Sequence, residues 1–551
     1  MHARPRSNAS MQWFLEDLAF RVVAASGIPS DRHHIGKLIH RSLMDDPKFI
    51  LQIDASTGVK ETGGSVLRRC IQCAIAMKNC GIKRGDVISL MTPNNMDVCI
   101  VYYACLFIGA AIAPVDINMR VKELQNLLDI QRPKIIFCLN DYGKYVKEVL
   151  TVAKLTSDIV TFDKSKDCTD FQRFLDKFGD DTKIEGFKPE DFDPSETFSI
   201  LLMTGGTSGG LKCATLTHVS SMFGCMEFWC RQTKFPDPER IALILSPLQW
   251  ISANFHYILS PILRYTRLQS PLPLDRPLIY EMINRYRPTH VTSSPPLLAS
   301  LLNTEEVKNC DLSCFNHVVI GGGVLAPGLF NMAKKLMPNA DVQEQYGLTE
   351  VAGFAVRSDD KPPGSLGKIR ESLQFRLIEV ESQKDIVGPN ITGELWLNGP
   401  ALFKGYYNDP EKTKEVFSED GWLKTGDLLQ MDEDYNLYYV DRLKMLLKYK
   451  NHHVSPVELE NVIHQHPGVY DVAVTGIVED FESGDLPVAC VVRKPGCKVT
   501  AQEIKDLVKN NLSDTKQLRG GVIFVSQLPL TASSKIDRAK LKTIVAESKR
   551  E

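Results

Sequence analysis

Short, uninterrupted apolar runs that alternate with helical patterns narrow the fold of this chain more than any other feature. Residues 86–91 (DVISLM), 133–138 (PKIIFC), 198–203 (FSILLM), 241–246 (IALILS), 290–293 (HVTS) and 317–320 (HVVI) each read as strands. Helical patterns, such as residues 66–80 and 329–336, lie between them. Strands that are apolar on both faces need helices on both sides. The alternation therefore predicts an α/β fold with mostly parallel sheets. The pattern changes after about residue 390. There, Gly393-Glu-Leu-Trp-Leu-Asn and Tyr435-Asn-Leu-Tyr-Tyr-Val read as antiparallel strands, and a basic run follows from Arg442 to Lys450. From Pro456 onward the order helix, strand, strand, helix predicts a small α+β unit. The expected architecture is a large N-terminal domain over residues 1–443, built of α/β subdomains plus a β-rich subdomain, and a small α+β domain over 444–551.

Length and composition agree with this picture. At about 150 residues per domain, 551 residues allow roughly three to four domains or subdomains. A chain that is 43% hydrophobic and 24% charged is neither disordered nor a coiled-coil rod. With 65 Lys and Arg against 67 Asp and Glu, no bulk field draws nucleic acid or an anionic membrane. The 14 cysteines are scattered, and only Cys70 and Cys73 have C-x-x-C spacing, without a second pair at zinc spacing. Reduced thiols are the expectation. The charge-free stretch 98–115 is just long enough to suggest a membrane span. It contains Gly109 and Pro114 and has no basic flank, so it reads as a buried helix, a turn and a short strand. The N-terminal residues lack the apolar segment of a signal peptide, and the chain ends Ser548-Lys-Arg-Glu551, which is not a peroxisomal tripeptide. A cytoplasmic protein, monomeric or weakly homodimeric and without an integral membrane segment, is expected.

Several strings carry chemistry. Thr204-Gly205-Gly206-Thr207-Ser208-Gly209-Gly-Leu211-Lys212 follows an apolar strand. Glycines let backbone N–H groups approach phosphate oxygens, hydroxyls add donors, and Lys212 adds charge. The spacing to Lys212, with Cys213 after it, is not that of a Walker A loop. Gly321-Gly322-Gly323-Val-Leu-Ala326 fits G-x-G-x-x-A after a strand, but Asp341 begins the next strand instead of ending it, which disfavours a dinucleotide fold. In Gln343-Glu-Gln345-Tyr346-Gly347-Leu-Thr349-Glu350, the ring can stack on adenine, and the hydroxyl and carboxylate suit a phosphate and Mg²⁺. Asp427, in Gly421-Trp-Leu-Lys-Thr-Gly-Asp427, can accept from ribose hydroxyls, and Arg442 can donate to the same sugar. Lys535 lies in a late Pro-Leu-Thr-Ala-Ser-Ser-Lys segment.

Taken in this order, the motifs resemble the adenylate-forming superfamily, and within it the beetle luciferase, 4-coumarate–CoA ligase and acyl-CoA synthetase branch. The likeness runs from about Gly85 to Lys540. It implies that a carboxylic acid is joined to AMP, with loss of pyrophosphate, and the acyl group then passed to a thiol. ATP, Mg²⁺ and CoA are the implied cofactors. By resemblance, residues 204–212 hold the ATP phosphates and Gly322 and Gly323 flank the nucleotide. Tyr346 faces the adenine, Gln345 and Gly347 are further nucleotide-binding positions, and Thr349 and Glu350 act near the α-phosphate and Mg²⁺. Asp427 and Arg442 hold the ribose, and Lys535 bridges the carboxylate and α-phosphate. Lys444 matches the hinge of a rotating C-terminal domain, and Lys448 the lysine presented in the second half-reaction. Leu211 and Cys213 stand where the family usually carries Pro and Gly, and Asn451 replaces a usual Gly. Gln249 and Trp250 stand where relatives often place a substrate-contacting His. With no charged partner in that pocket, a hydrophobic acid, foremost a fatty acid, is the expected substrate. Two alternatives stay open: a luciferase-type oxygenase, and a catalytically weakened member that binds nucleotide or acyl ligand.

Overall fold

The computed structural model describes residues 9–205, 211–229, 240–323, 325, 327–358, 361–449, 452–478, 485–512, 514–530 and 535–551. The chain divides into two compact units. The first comprises residues up to 356 with 370–373 and 398–416; the second comprises 357–369, 374–397 and 417–551.

The first unit contains two seven-stranded sheets. One orders the strands Asp341–Gln345, His317–Gly321, His290–Ser293, Ile241–Leu243, Thr266–Gln269 and Ile50–Asp54 in parallel, with Lys60–Thr62 as an antiparallel edge. The other runs Thr169–Asp170, Asp158–Thr161, Ile135–Cys138, Val87–Met91, Ala111–Pro114 and Phe198–Gly205 in parallel. The strand Leu211–Thr217 then returns antiparallel on Phe198–Gly205. Apolar runs on the inner strands supply the core, as expected of sheets covered on both faces.

The stretch 98–115 is internal to this unit. All eleven residues of the helix Val98–Ile108 are buried, which is why it carries no charge. Gly109 ends it at φ 71°, and a Cβ there would sit 3.0 Å from Arg84 and Phe192, so both conformation and space require glycine. Ala111–Pro114 is the following strand. No helix among the described residues is long and apolar enough to cross a membrane.

The second unit contains a four-stranded sheet ordered Gln374–Ile378, Gly393–Asn398, Leu423–Met431 and Leu437–Arg442, the last three strands pairing antiparallel. The hairpin Leu447–Tyr449 and His452–Val454 follows. Next comes a three-stranded sheet in which Asp485–Arg493 pairs antiparallel with Val469–Val478 and parallel with Gly521–Phe524. Leu459, Ile463, Ile504 and Val508, from the helices Pro456–Ile463 and Ala501–Asn511, pack on Val472, Val474, Ala489 and Val491 of that sheet. Leu541 and Val545 of the helix Arg538–Glu547 join Ala473, Val488 and Cys490 in a second cluster. Alternating residues of one strand thus serve two apolar layers. This is the mixed α/β architecture with a large N-terminal part and a smaller α+β end. The sequence-derived boundary at 443/444 falls within the second unit.

Candidate functional site

The two ends of the Gly-rich string lie on paired antiparallel strands. Thr204 pairs with Lys212 and Gly205 with Leu211, so the strand register fixes both ends of the loop. Gly206, Thr207, Ser208 and Gly209 lie outside the described residues. Adjacent strand residues face opposite ways. Lys212 accordingly stays half-buried, while Cys213 turns into the core, where Gln131 donates to its sulfur at 3.6 Å. Burial pushes the Cys213 thiol up to about 11. The side chain at 213 is therefore accommodated on the core face.

A strap over residues 403–407 joins this hairpin to the turn that carries Thr349 and Glu350. The Thr215 hydroxyl donates to Gly405 O at 2.8 Å, and Tyr407 N donates to Cys213 O at 2.7 Å. Phe403 N donates to Glu350 O at 2.9 Å. Between them stands Tyr406, which is buried. Its ring centroid lies 4.7 Å from Lys212 Nζ, and its hydroxyl donates to Glu350 Oε1 at 2.9 Å. One tyrosine thus holds a cation and a carboxylate in register, by a cation–π contact and a charge-assisted hydrogen bond. The motif reading did not include Tyr406. Its only sequence signal is the Gly-Tyr-Tyr string at 405–407, far along the chain from Glu350.

The Thr349–Val351 turn owes its shape to close backbone contacts. A Cβ on Gly347 would sit 2.2 Å from Gly353 O, and one on Gly224 would sit 2.1 Å from Ala352 O. Ala352 has φ 53°, in the left-handed region. These approaches seat the turn against the helix His218–Trp229.

Gly321, Gln345 and Tyr346 are brought together by the parallel pairing of His317–Gly321 with Asp341–Gln345, in which Gly321 faces Gln345. Gln345 is buried and Tyr346 half-buried. Gly322 has φ 86°, and among the described residues nothing lies within 4 Å of the position its Cβ would take, while beside Gly323 only Pro295 comes as near as 3.7 Å. Asp341 is the first residue of its strand, the placement that argues against a dinucleotide fold.

Gln249 and Trp250 are both half-buried and lie just before the helix Ile251–Leu263. The expected strand over 241–246 is shorter, Ile241–Leu243, because residues 246–250 turn to start that helix.

In the second unit, Asp427 and Arg442 face each other across paired strands, and Arg442 Nε donates to Asp427 Oδ1 at 2.8 Å. Asp427 is buried, with 2% exposure, so the guanidinium supplies its countercharge. Glu394, which sequence reasoning did not single out, shapes the same turn by accepting from Gly426 N at 3.0 Å and from Trp396 Nε1 at 2.8 Å. Lys444 lies on the turn Leu443–Met445, and Lys448 on the strand Leu447–Tyr449. The preceding Asp441 is buried and accepts from the Ser455 hydroxyl; burial raises its carboxyl. Asn451 lies outside the described residues. Lys535 is exposed beside the Leu530–Ile536 bridge. Three residues on, Arg538 Nη1 lies 2.8 Å from Glu460 Oε1.

Thr349 and Glu350 offer hard oxygen donors that fit Mg²⁺. No cluster of three or more His, Cys, Asp or Glu among the described residues could hold a metal without further ligands. One carboxylate completed by substrate phosphates is the usual Mg²⁺ arrangement.

Two family models match the chain, and the first extends over residues 357–369 and 374–397 of the second unit. Residues 41–407 match the AMP-binding enzyme family and residues 458–535 the AMP-binding enzyme C-terminal domain. Luciferin 4-monooxygenase of Photuris pensylvanica is 31% identical over 498 residues, covering 88% of this chain and 89% of the relative. The 4-coumarate–CoA ligase-like 9 protein of Arabidopsis thaliana is 29% identical, covering 90% and 87%. Among solved structures, the anthranilate CoA ligase AuaEII in complex with anthranoyl-AMP superposes with a TM-score of 0.83 at 21% identity, covering 93% of this chain and 97% of that one.

Proposed function

The chain belongs to the AMP-binding enzyme family, and from that premise we propose that it activates a hydrophobic carboxylic acid, foremost a fatty acid, and transfers it to CoA. In the first half-reaction a carboxylate oxygen attacks the α-phosphorus of ATP, the bond to the β-phosphate oxygen breaks, and pyrophosphate leaves. In the second, the CoA sulfur attacks the acyl carbon, AMP leaves, and the thiol proton passes to solvent. The observation that supports this reading is the Lys212–Tyr406–Glu350 arrangement. It presents a cation for phosphate oxygens beside a carboxylate suited to Mg²⁺.

In this reading, the loop 204–212 grips the phosphates, and Gly322, Gly323 and Tyr346 form the adenine slot. Asp427 and Arg442 hold the ribose. Lys535 offsets the repulsion between the attacking carboxylate and the α-phosphate, where a positioned charge is worth most. Bound Mg²⁺ would neutralise phosphate charge, held by Glu350 with Thr349 close by. Residues 444–551 act as a mobile domain hinged at Lys444 that brings Lys448 forward for thioester formation. Gln249 and Trp250 wall the acid pocket, where apolar character favours an alkyl or aryl chain.

The test is mass-spectrometric detection of acyl-CoA after incubation with ATP, Mg²⁺, CoA and a panel of fatty and aryl acids. Thioester from at least one fatty acid is expected, lost in Lys448→Ala while adenylate formation persists. Adenylate without thioester from any acid contradicts the CoA step. The likeness to luciferin 4-monooxygenases supports a second reading, an oxygenase acting on its own acyl-adenylate. Light from added luciferin, ATP and O₂ would favour it.

A further inference from the structure

The turn that carries Gln249 and Trp250 is held from beneath by buried amides. Asn254 is fully buried, and its Nδ2 donates to both Leu248 O and Trp250 O, each at 2.9 Å. Its Oδ1 accepts from the Tyr102 hydroxyl at 2.9 Å. Both donors and the acceptor of one side-chain amide are therefore engaged: the two carbonyls require Nδ2 on their side, and the Tyr102 hydroxyl holds the Oδ1 on the other. Tyr102 is itself immobilised: it is fully buried in the helix Val98–Ile108 and stacks on Tyr257, with ring centroids 5.3 Å apart. A second buried amide, Asn94, donates to Ser246 O at 2.9 Å at the other end of the turn. The Ser252 hydroxyl adds a bond to Ser246 Oγ at 2.8 Å.

Three carbonyls of a five-residue turn are thus fixed by side chains, two by Asn254 of the helix that follows and one by Asn94. Ordinary helix starts are capped locally by the residue at the boundary. Here Trp250 occupies that position and supplies no side-chain cap. Its own carbonyl is tied down by Asn254.

We propose that Asn254, oriented by Tyr102, is a positioning residue that sets acid selectivity by fixing the main chain of Gln249 and Trp250. The inference rests on the placement of those two residues in the acid pocket. A wall residue on an untethered turn would swing with its backbone and accept many chain lengths. A wall residue on a triply bonded turn discriminates, because rejecting a poor substrate requires the turn to hold its place.

The experiment compares Tyr102→Phe, Asn254→Ser and Trp250→Ala with wild type. For each, acid-dependent ATP–pyrophosphate exchange is measured across a series of fatty acids, with KM for ATP and the thermal melting point. Tyr102→Phe removes one hydroxyl from a buried site and is the variant expected to fold. The expected result is an acid KM raised about 3- to 10-fold for the preferred acid, the loss of one ordinary hydrogen bond. The chain-length profile flattens in the same direction as in Trp250→Ala, and KM for ATP is unmoved. If Trp250→Ala alters the profile but the folded Tyr102→Phe and Asn254→Ser proteins keep it, the positioning role is overturned. A lower melting point with an unchanged profile likewise leaves only a structural role and overturns it. If Trp250→Ala leaves the profile unchanged, the pocket assignment fails and takes the inference with it.

Discussion

Tyr406→Phe separates the two things that Tyr406 does. The substitution removes the hydroxyl that donates to Glu350 Oε1 at 2.9 Å and leaves the ring whose centroid lies 4.7 Å from Lys212 Nζ. A hydrogen bond to a charged group contributes about 1.5–3 kcal/mol. Glu350 is half-buried, so the lower part of that range applies, about 1.5–2 kcal/mol. If the carboxylate acts chiefly in the transition state, that loss lowers kcat for adenylation by about 10- to 30-fold. The retained ring should keep KM for ATP within about threefold, since a cation–π contact is worth about 0.5–2 kcal/mol and is not lost. Tyr406→Leu removes both contacts and should raise KM for ATP as well. The assay is initial-rate ATP–pyrophosphate exchange at varied ATP and saturating acid, with melting curves to confirm folding. A Tyr406→Phe protein with wild-type kcat would refute the link between this hydroxyl and the part Glu350 plays in adenylation.

Three further outcomes follow from the geometry. His34 is buried, accepts from Lys37 N at its Nδ1 and contacts Glu190 O through Nε2, and burial lowers its pKa to about 4. Because the folded value lies below the unfolded 6.5, the unfolded state binds more protons between pH 6.5 and 4, so stability is present above pH 6.5 and lost as pH falls. His34→Gln should therefore lose about 2 kcal/mol less than wild type between pH 7 and pH 5 in urea unfolding; parallel curves would contradict it. Gly224→Ala places a Cβ 2.1 Å from Ala352 O, so it should cost about 1–3 kcal/mol in stability and reduce exchange by displacing the Thr349–Glu350 turn; a wild-type melting point would refute that contact. Arg442→Ala leaves the buried Asp427 carboxylate without its guanidinium and should raise KM for ATP roughly 10-fold with the acid KM unmoved, whereas an unchanged KM for ATP would remove this pair from the nucleotide site.

Much of this was legible from patterning, and the exceptions have physical causes. Strands such as His290–Ser293 could be read because continuous apolar runs belong to sheets buried on both faces. Gly109 and Pro114 marked 98–115 as helix, turn and strand. The return strand Leu211–Thr217 was less visible, because its residues read as the exit of a loop and its antiparallel pairing depends on a partner that local periodicity does not name. Tyr406 and Glu394 were missed for a related reason. Each acts on residues distant in sequence or through main-chain groups, and neither belongs to a motif string. The Asn254–Tyr102 support joins residues from two helices, and burial alone makes a buried Asn and a buried Tyr conspicuous.

The central claim is that this chain makes an acyl-adenylate with Lys535 as the decisive cation. It is tested most directly by ATP–pyrophosphate exchange with a fatty-acid panel on wild type and Lys535→Ala. Acid-dependent exchange in wild type, reduced about 10²–10³-fold in the variant with ATP binding retained, is the predicted result. Absence of exchange with every acid, despite measurable ATP binding, would contradict the claim and leave a nucleotide-binding protein without turnover.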